Sequence, residues 1–473
     1  MNKPIWDGSC EELIQATGGT LLSHPATTFH KVGTDTRLDL RGRLFVPLKG
    51  NNYNAHDFVE QAVGKGVSAV LVHEWRDQWQ PLTKQITFIK VSDTLKALQD
   101  FASFWRKKHK FKVIAITGSN GKTSTKEFTA TLLKSEMPTY ASKGSYNNHW
   151  GVPLSILEAG PEHRVLILEM GMNKSGELWR LAHLAEPDIV TVTTVGRAHI
   201  GELGSLAKIA EAKEEIYSAV PRAIHVFNMD NEWTMRMQTR SETKQIKFSA
   251  FKADVDVHLR AQRLTLDGLD VVGTIGGVAG QTLVKVLGRQ NNANLMCASA
   301  LALAAGLAPE LIWKHLLEIR DSAWGRNQVL HLKNGAKVLF DAYNANPDSS
   351  IALLKNLYEY EIPGRKYLVM GDMKELGEMS EMLHQEIGER AASVNFAGIL
   401  YIGEFKEAFR RGLEKFHKDK DFIGIAKFDE KVVRDFANQL QANDLVALKA
   451  SRGMALEKVV ETWPMQTLLG HKP

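Results

Sequence analysis

The chain has 473 residues, which at roughly 150 per domain suggests about three domains. Its 59 Lys and Arg against 54 Asp and Glu leave a net charge of +5, nearly balanced over this length. That excludes a nucleic-acid binder working through bulk charge and leaves only a local basic groove open. Apolar residues make up 44% of the chain, enough for large cores, and two cysteines, Cys10 and Cys297, exclude a disulfide scaffold and fit a reducing cytoplasm.

No zinc-ligand spacing occurs among the 16 histidines and two cysteines, since His73-Glu74 lacks the second histidine of an HExxH helix. Met1 to Gly19 has no basic start followed by an apolar stretch, so no signal peptide is expected. The longest run of apolar and small residues, Ala298 to Ala308, falls short of the roughly 20 needed to span a bilayer. A cytoplasmic protein without a membrane span is expected.

In the first segment, residues 1–107, the apolar runs Leu44–Val46 and Ser68–Val72 alternate with helical patterns. The basic stretch Arg106–Lys110 reads as a solvated helix end and linker. From Lys112 the pattern becomes strand, glycine turn, helix. Val113–Thr117, Val165–Leu168 and Ile189–Val192 are buried-strand runs separated by helical stretches, as in a parallel sheet covered on both faces. Between Val255 and Val286 residues alternate around Asp267-Gly268, a hairpin signal, so an antiparallel patch is appended to the sheet. A long helix is expected from about Asn291 to Ala305. The central domain is thus 108–321, with a boundary near Ser322–Gly325. Beyond it, strands are expected at Val338–Phe340, Tyr367–Met370, Ile399–Ile402 and Leu445–Leu448, a Rossmann-like α/β unit over 322–473. It lacks GxGxxG after its first strand, so a dinucleotide site there is not expected. The fold class is α/β with three domains.

The strongest local signal is Thr117–Thr125, containing Gly118, Ser119, Asn120, Gly121, Lys122, Thr123 and Ser124 between an apolar strand and a helix expected near Lys126. That context suits a phosphate loop: glycines let successive N–H groups face phosphate, and the helix N-terminus adds positive potential. Lys122 would reach the β/γ phosphates of ATP and Thr123 would ligate Mg²⁺. The eight-residue form of the motif needs glycine at 116, where Ile116 stands, so this is a shortened GxxGKT loop. Alone it does not separate a kinase, switch GTPase, motor or ligase.

The remaining motifs resemble the Mur ligases of peptidoglycan synthesis across all three segments in the family's order, most closely the type that adds D-alanyl-D-alanine to UDP-N-acetylmuramoyl-tripeptide. The resemblance implies that Glu169 in LEMGMN, His199 in RAHIGE and Lys213 in EAKEEI hold Mg²⁺, Lys213 as a carbamate. A lysine of pKa about 10.4 is cationic and repels metal, whereas its CO₂ adduct is anionic. Gly288–Asn294 resembles GRHNxxN, placing Asn291 and Asn294 near adenine, with Gln290 in place of the histidine. Asp341, Tyr343 and Asn344 match a turn around the nucleotide, and Arg326 matches an arginine reaching the ATP phosphates. Gly371–Gly377 with His384 resembles the signature GDMxELG…H of the D-Ala-D-Ala-adding type. Lys449-Ala450-Ser451-Arg452 is similar to KGSR, where Lys449 and Ser451 contact substrate, although Ala450 replaces glycine. In the first segment Thr36, Arg37, Lys49, Asn54, His56 and Asp57 match residues at the UDP end, with Ala55 replacing a common glycine. Asn147 and Asn148, with Tyr146 and Gly151-Val152-Pro153, match a family segment that faces the acyl substrate.

The implied reaction is ATP-driven amide ligation through an acyl phosphate, with UDP-N-acetylmuramoyl-tripeptide and D-alanyl-D-alanine as substrates, and domain closure bringing Arg326 and Asp341 over the loop. A monomer is expected. Two alternatives stay open: another Mur or folylpolyglutamate-type ligase, and a phosphate-loop switch protein without ligase chemistry.

Overall fold

The computed structural model describes residues 7–23, 26–50, 53–320 and 324–466. Part of the second expected boundary, Ser322 and Ala323, lies outside them.

Three large sheets organise the described residues, beside a two-stranded antiparallel pair of Asp7–Ser9 with Thr28–His30. The first has five strands in the order Thr20–Leu21, Thr87–Lys90, Ala69–Val72, Leu44–Phe45, Val32–Gly33, parallel except at its first edge. The second has nine strands. Its parallel part runs Thr139–Ala141, Val165–Glu169, Lys112–Thr117, Ile189–Val192, Ile224–Asn228, Gln245–Phe248. The antiparallel ladder Val257–Thr265, Gly268–Ile275, Val278–Val284 continues that edge, as the alternation predicts. The third has six strands in the order Gln328–His331, Lys337–Phe340, Leu445–Lys449, Lys366–Gly371, Phe396–Ile402, Phe422–Ile425, parallel apart from the first pair.

The runs Val113–Ile116 and Val165–Leu168 are buried on both faces, which is why they read as unbroken apolar stretches. The helix Gln290–Ala305 is buried nearly all round, packed between the helix Lys122–Lys134 and the strands Ile224–Asn228 and Val257–Thr265. Its small residues permit that close approach.

Two expectations need correction. The helix after the phosphate loop begins at Lys122, not near Lys126, because Gly121 at φ 83° turns the chain straight into helix. The basic stretch is a solvated helix end, as expected, with Lys107, Lys108 and Lys110 exposed, but no linker follows it, since the next strand starts at Lys112. Arg106–His109 form the last turn of the helix Thr94–His109, and Arg106 donates to the carbonyls of Ala185 (3.1 Å) and Glu186 (2.9 Å). Cations there also complement the negative end of the helix. That helix packs on Cys10–Thr17 and on the helices Gly151–Glu158 and Glu177–Ala185 of the central sheet. Among the described residues no helix is long and apolar enough to cross a membrane.

Candidate active site

The strand Lys112–Thr117 sits where the chain changes direction across the central sheet, between Val165–Glu169 and Ile189–Val192. Ligands of open α/β sheets bind in the crevice beyond such a switch point. The phosphate loop fills it. Gly118 at φ 145° and Gly121 at φ 83° take conformations that other residues avoid. A Cβ on Gly118 would lie 1.9 Å from Thr193 Oγ1, and one on Gly121 2.2 Å from Asn294 Oδ1. Thr193 Oγ1 donates to Asn120 O at 2.6 Å, and Ser119 Oγ donates to Gly196 O at 3.0 Å, so the neighbouring strand end fixes the loop. Lys122 Nζ donates to Gly118 O at 2.7 Å. Desolvation holds its pKa below the usual lysine value against the pull of Glu169.

Thr123 and Glu169 meet at the floor. Thr123 Oγ1 donates to Glu169 Oε2 at 2.7 Å and accepts from Arg326 Nη2 at 3.1 Å. Asn147 Nδ2 donates to Glu169 Oε1 at 2.9 Å. The Arg326 guanidinium lies 4.4 Å over the Tyr343 ring, and the Tyr343 hydroxyl is 2.6 Å from Ser145 Oγ. Thus a residue just before the third sheet already reaches the phosphate loop.

His199 sits in the left-handed region at φ 61°, its Nδ1 2.9 Å from Glu375 Oε2. Glu375, at φ 64°, belongs to the loop Gly371–Gly377, and its carboxyl is held below the usual range by His199. That loop is braced from beneath. Buried Asp372 accepts from the Tyr401 hydroxyl (3.0 Å) and the Glu404 amide (3.0 Å), while His384 Nε2 accepts from Met373 N at 2.9 Å. Asp372 and His384 therefore shape the loop and leave Lys374 and Glu375 facing the cavity.

Lys213 is 2% exposed on the helix Leu206–Ser218, and among the described residues nothing hydrogen-bonds or pairs with its Nζ. Burial, with the charge of Lys122 nearby, pushes its pKa well below the ordinary lysine value. It does not line the cavity described next.

A cavity of about 820 Å³ opens between the second and third sheets. Ser119–Ser124, Asn147, Glu169, His199, Asn291, Asn294, Arg326, Asp341, Tyr343, Asn344, Lys449 and Ser451 all line it. Asn294 Nδ2 donates to Asn291 Oδ1 (2.8 Å) and Asn291 Nδ2 to Leu287 O (2.8 Å), so these asparagines also brace the loop glycine. Gln290, in the position of the family's histidine, accepts from Asn356 Nδ2 at 2.7 Å. Lys449 Nζ is 2.7 Å from Asp341 Oδ2 and 3.0 Å from Asn344 O, and Ser451 Oγ donates to Ala345 O. Both side chains hold the turn around Asp341–Ala345.

Gly118 lies behind the cavity wall, and no residue of the first sheet lines the cavity. In the first segment Thr36 Oγ1 donates to Gln61 Oε1 (2.9 Å), Arg37 pairs with Asp35, and Asp57 pairs with Arg76 (2.9 Å). Lys49 and Asn54 form an isolated bridge, and Asn54 caps the turn at Ala55–Phe58. His56 is buried, with Nδ1 2.9 Å from Asn54 Oδ1 and Nε2 accepting from His73 N. Burial beside His73 pushes its pKa down to about 4. Both nitrogens are used inside the domain. Asn148 likewise turns inward, accepting from Gly151 N at 2.9 Å where the next helix starts.

Sequence reasoning passed over Thr193, Glu375, Asn346, which donates to Asn120 Oδ1 at 2.7 Å, and Arg197, which bridges to Asp348 and Glu386. Asn346 and Glu375 stand inside recognised motifs. Arg197 stands in the RAHIGE segment beside His199, and only Thr193 carries no local signal.

Among the described residues no group of three His, Cys, Asp or Glu side chains is placed to enclose a metal. Thr123 and Glu169 do offer adjoining hard oxygens, which suits Mg²⁺, an ion that takes one or two protein oxygens and completes its shell with phosphate and water.

Residues 116–302 match the Mur ligase middle domain, and residues 325–452 the Mur ligase, glutamate ligase domain. The UDP-N-acetylmuramoyl-tripeptide–D-alanyl-D-alanine ligase of Bacillus subtilis is 33% identical over 95% of this chain and 97% of its own length. The enzyme of that name from Escherichia coli is 33% identical over 92% and 93%. Among solved structures, MurF from Acinetobacter baumannii superposes with a TM-score of 0.86 at 28% identity, covering 97% of this chain and 99% of that one. MurF from Thermotoga maritima, solved with ADP, gives 0.76 at 25% identity over 91% and 96%. With the phosphate loop, the three sheets and one-third identity along nearly its whole length, the chain belongs to the Mur ligase family.

Proposed function

We propose that the chain is an ATP-dependent amide ligase joining D-alanyl-D-alanine to UDP-N-acetylmuramoyl-tripeptide. The observation that carries this reading is the cluster of Thr123, Glu169, Asn147 and Arg326 at the floor of a cavity closed by two sheets. A switch protein needs the phosphate loop. It does not need an arginine from a separate domain stacked on a tyrosine above it. The relatives' shared name supplies the donor and acceptor.

A carboxylate is a poor electrophile, so the tripeptide's terminal carboxylate first attacks the γ-phosphate, giving an acyl phosphate and ADP. The acceptor amine then attacks the acyl carbon and phosphate leaves. Lys122 and the loop amides hold the phosphates, and Arg326 meets charge on the transferring group, the kind of fixed electrostatics that supplies much of such catalysis. Thr123 and Glu169 would hold Mg²⁺, with His199 and Lys213 beyond them; when bound, the ion neutralises phosphoryl charge. Burial pushes the Lys213 pKa down, which favours the neutral amine, the form that adds CO₂, and a carbamate there would turn a buried amine into an anion. Asn147 orients Glu169. Asn291, Asn294, Asp341, Tyr343 and Asn344 surround the nucleotide, and Lys449 and Ser451 hold their turn toward the acyl substrate.

In this reading residues 1–107 take the UDP end through Thr36, Arg37, Lys49, Asn54 and Asp57, while His56 and Asn148 shape the loops beside the ligand. Residues 108–321 take ATP, and 322–473 complete the site. The reading takes the chain as a monomer, and ATP with a UDP-linked donor supports a cytoplasmic setting.

The test is phosphate release from ATP with UDP-N-acetylmuramoyl-tripeptide, run with D-Ala-D-Ala, D-Ala, diaminopimelate and glutamate as acceptors. Release with D-Ala-D-Ala alone, with one dipeptide added to the product mass, is the expected result. Release with another acceptor overturns the substrate, and no release with any overturns the ligase.

A further inference from the structure

Lys126 lies one helical turn beyond Thr123 on the helix Lys122–Lys134, and its exposure is 0%. A cation survives in such a place only when paired and hydrogen-bonded. Its Nζ donates to Ser142 O (2.5 Å) and Gly144 O (3.0 Å) and lies 3.1 Å from Glu127 Oε1. Two of its three ammonium donors go to these carbonyls, and Glu127 supplies the counter-charge.

The two carbonyls belong to the segment 142–148, which has no regular ladder of its own and touches the site at three points. Ser142 Oγ accepts from Glu169 N at 3.2 Å. Asn147 Nδ2 holds Glu169 Oε1, and Ser145 Oγ meets the Tyr343 hydroxyl beneath Arg326. Two connections from one helix therefore converge on one carboxylate. Thr123 reaches Glu169 directly, and Lys126 reaches it through the loop.

We propose that Lys126 is a positioning residue for the ligation. It ties the loop 142–148 to the phosphate-loop helix, so that Asn147 and Ser145 are in place when nucleotide is bound. The proposal rests on the ligase reading for its catalytic consequence, but the tether itself is independent of it. An apolar side chain would fill the space while leaving both carbonyls without their donor.

The experiment uses the full chain carrying Lys126→Met, with Lys126→Gln as a second variant that keeps one donor. Amide hydrogen exchange is followed in the presence of a non-hydrolysable ATP analogue. Exchange across 142–148 should rise in Lys126→Met while 118–125 stays protected. The kcat/KM for tripeptide should fall about 10- to 100-fold, the scale of misplacing a positioning group by about 1 Å, with KM for ATP within about 3-fold. In an Asn147→Ala background the added loss should shrink below about 3-fold, because residues acting through one another are not additive. Lys126→Gln should recover part of the loss and carries the same measurements if the methionine variant does not fold. Unchanged exchange in the loop overturns the proposal, as do losses that multiply fully with Asn147→Ala. If the unaltered chain ligates no acceptor, the functional reading fails, and hydrogen exchange alone decides the tether.

Discussion

Arg197 is the perturbation that bears most directly on how the site is closed. Its Nε is 2.8 Å from Asp348 Oδ1, its Nη1 2.8 Å from Glu386 Oε2, and its backbone N–H donates to Asp348 Oδ2 at 2.7 Å. Arg197 stands two residues before His199, whereas Asp348 and Glu386 lie on helices of the third sheet. Burial opposes its charge, but the two carboxylates outweigh that and hold its pKa above the usual arginine value. Arg197→Met removes both side-chain bonds and keeps the backbone one. Hydrogen bonds to charged groups contribute about 1.5–3 kcal/mol each. Both acids are about one-third exposed, so solvent screening reduces each to about 1 kcal/mol. A loss of about 2 kcal/mol shifts the closed-to-open ratio about 30-fold, since 1.36 kcal/mol is tenfold. Small-angle scattering should show a larger radius of gyration for Arg197→Met without ligand, and a return to the unaltered radius with ATP analogue and tripeptide. KM for ATP should rise about 10-fold or more while kcat at saturation stays within about 3-fold, because ligand binding restores closure. The variant Asp348→Ala should behave alike, and the pair should not be additive. Identical scattering for Arg197→Met and the unaltered chain, with kcat lowered and KM unchanged, would refute this reasoning.

Three other outcomes follow from single sites. Lys213→Met should abolish ligation, by about 100-fold or more in kcat if it removes a charge-stabilising group, yet leave the thermal midpoint level or higher; phosphate release and calorimetry on one sample decide it. His315 is 2% exposed between Glu136 (2.9 Å) and Glu318 (2.8 Å), and although burial lowers its pKa the two carboxylates raise it further, so the net direction is upward. Its stabilisation is complete below the unfolded value of about 6.5 and is lost as pH rises through the folded one. The midpoint difference between the unaltered chain and His315→Gln should therefore be largest below about pH 6.5 and shrink as pH rises above it. His384→Ala leaves the Met373 N–H without its acceptor, a cost of about 1–3 kcal/mol that denaturant titration should show while ATP binding is retained.

The fold was legible where strands are buried on both faces. Val113–Thr117, Val165–Leu168, Ile189–Val192 and Leu445–Leu448 announce themselves because a central parallel strand has no solvent side. Thr139–Ala141 and Phe422–Ile425 are edge strands with partly exposed residues, and their short mixed sequences carry no such pattern. The same split runs through the site. The phosphate loop is local, so its glycines and Lys122 can be read in nine residues. Lys213 stands in a charged helix stretch that reads by itself as a solvated face, and only the resemblance singled it out; its 2% exposure is a tertiary fact. Asn148 and His56 show the opposite limit. An asparagine that caps a helix and one that touches a ligand have the same sequence context until the backbone around them is known.

What the sequence could not convey is the closeness of the two halves, and that closeness is the chemistry. Gly201 faces the loop Gly371–Gly377 so tightly that a Cβ on it would lie 2.6 Å from Gly377 N and 2.7 Å from Glu375 O. Backbone meets backbone there, and Gly201 N donates to Glu375 O at 3.1 Å. Neither half holds a complete site. The central sheet carries the phosphate loop, Glu169 and His199, and the third segment carries Arg326, Asp341 and Glu375. A phosphoryl group bound by the first half alone would stay open to water, and the acyl phosphate would hydrolyse. On the proposed mechanism, closure would supply the remaining positive charge at the same moment that it excludes water. The bond from Arg326 to Thr123 joins residues 203 positions apart, so on the proposed mechanism the charge that would stabilise transfer comes from the third segment rather than from the phosphate-loop domain.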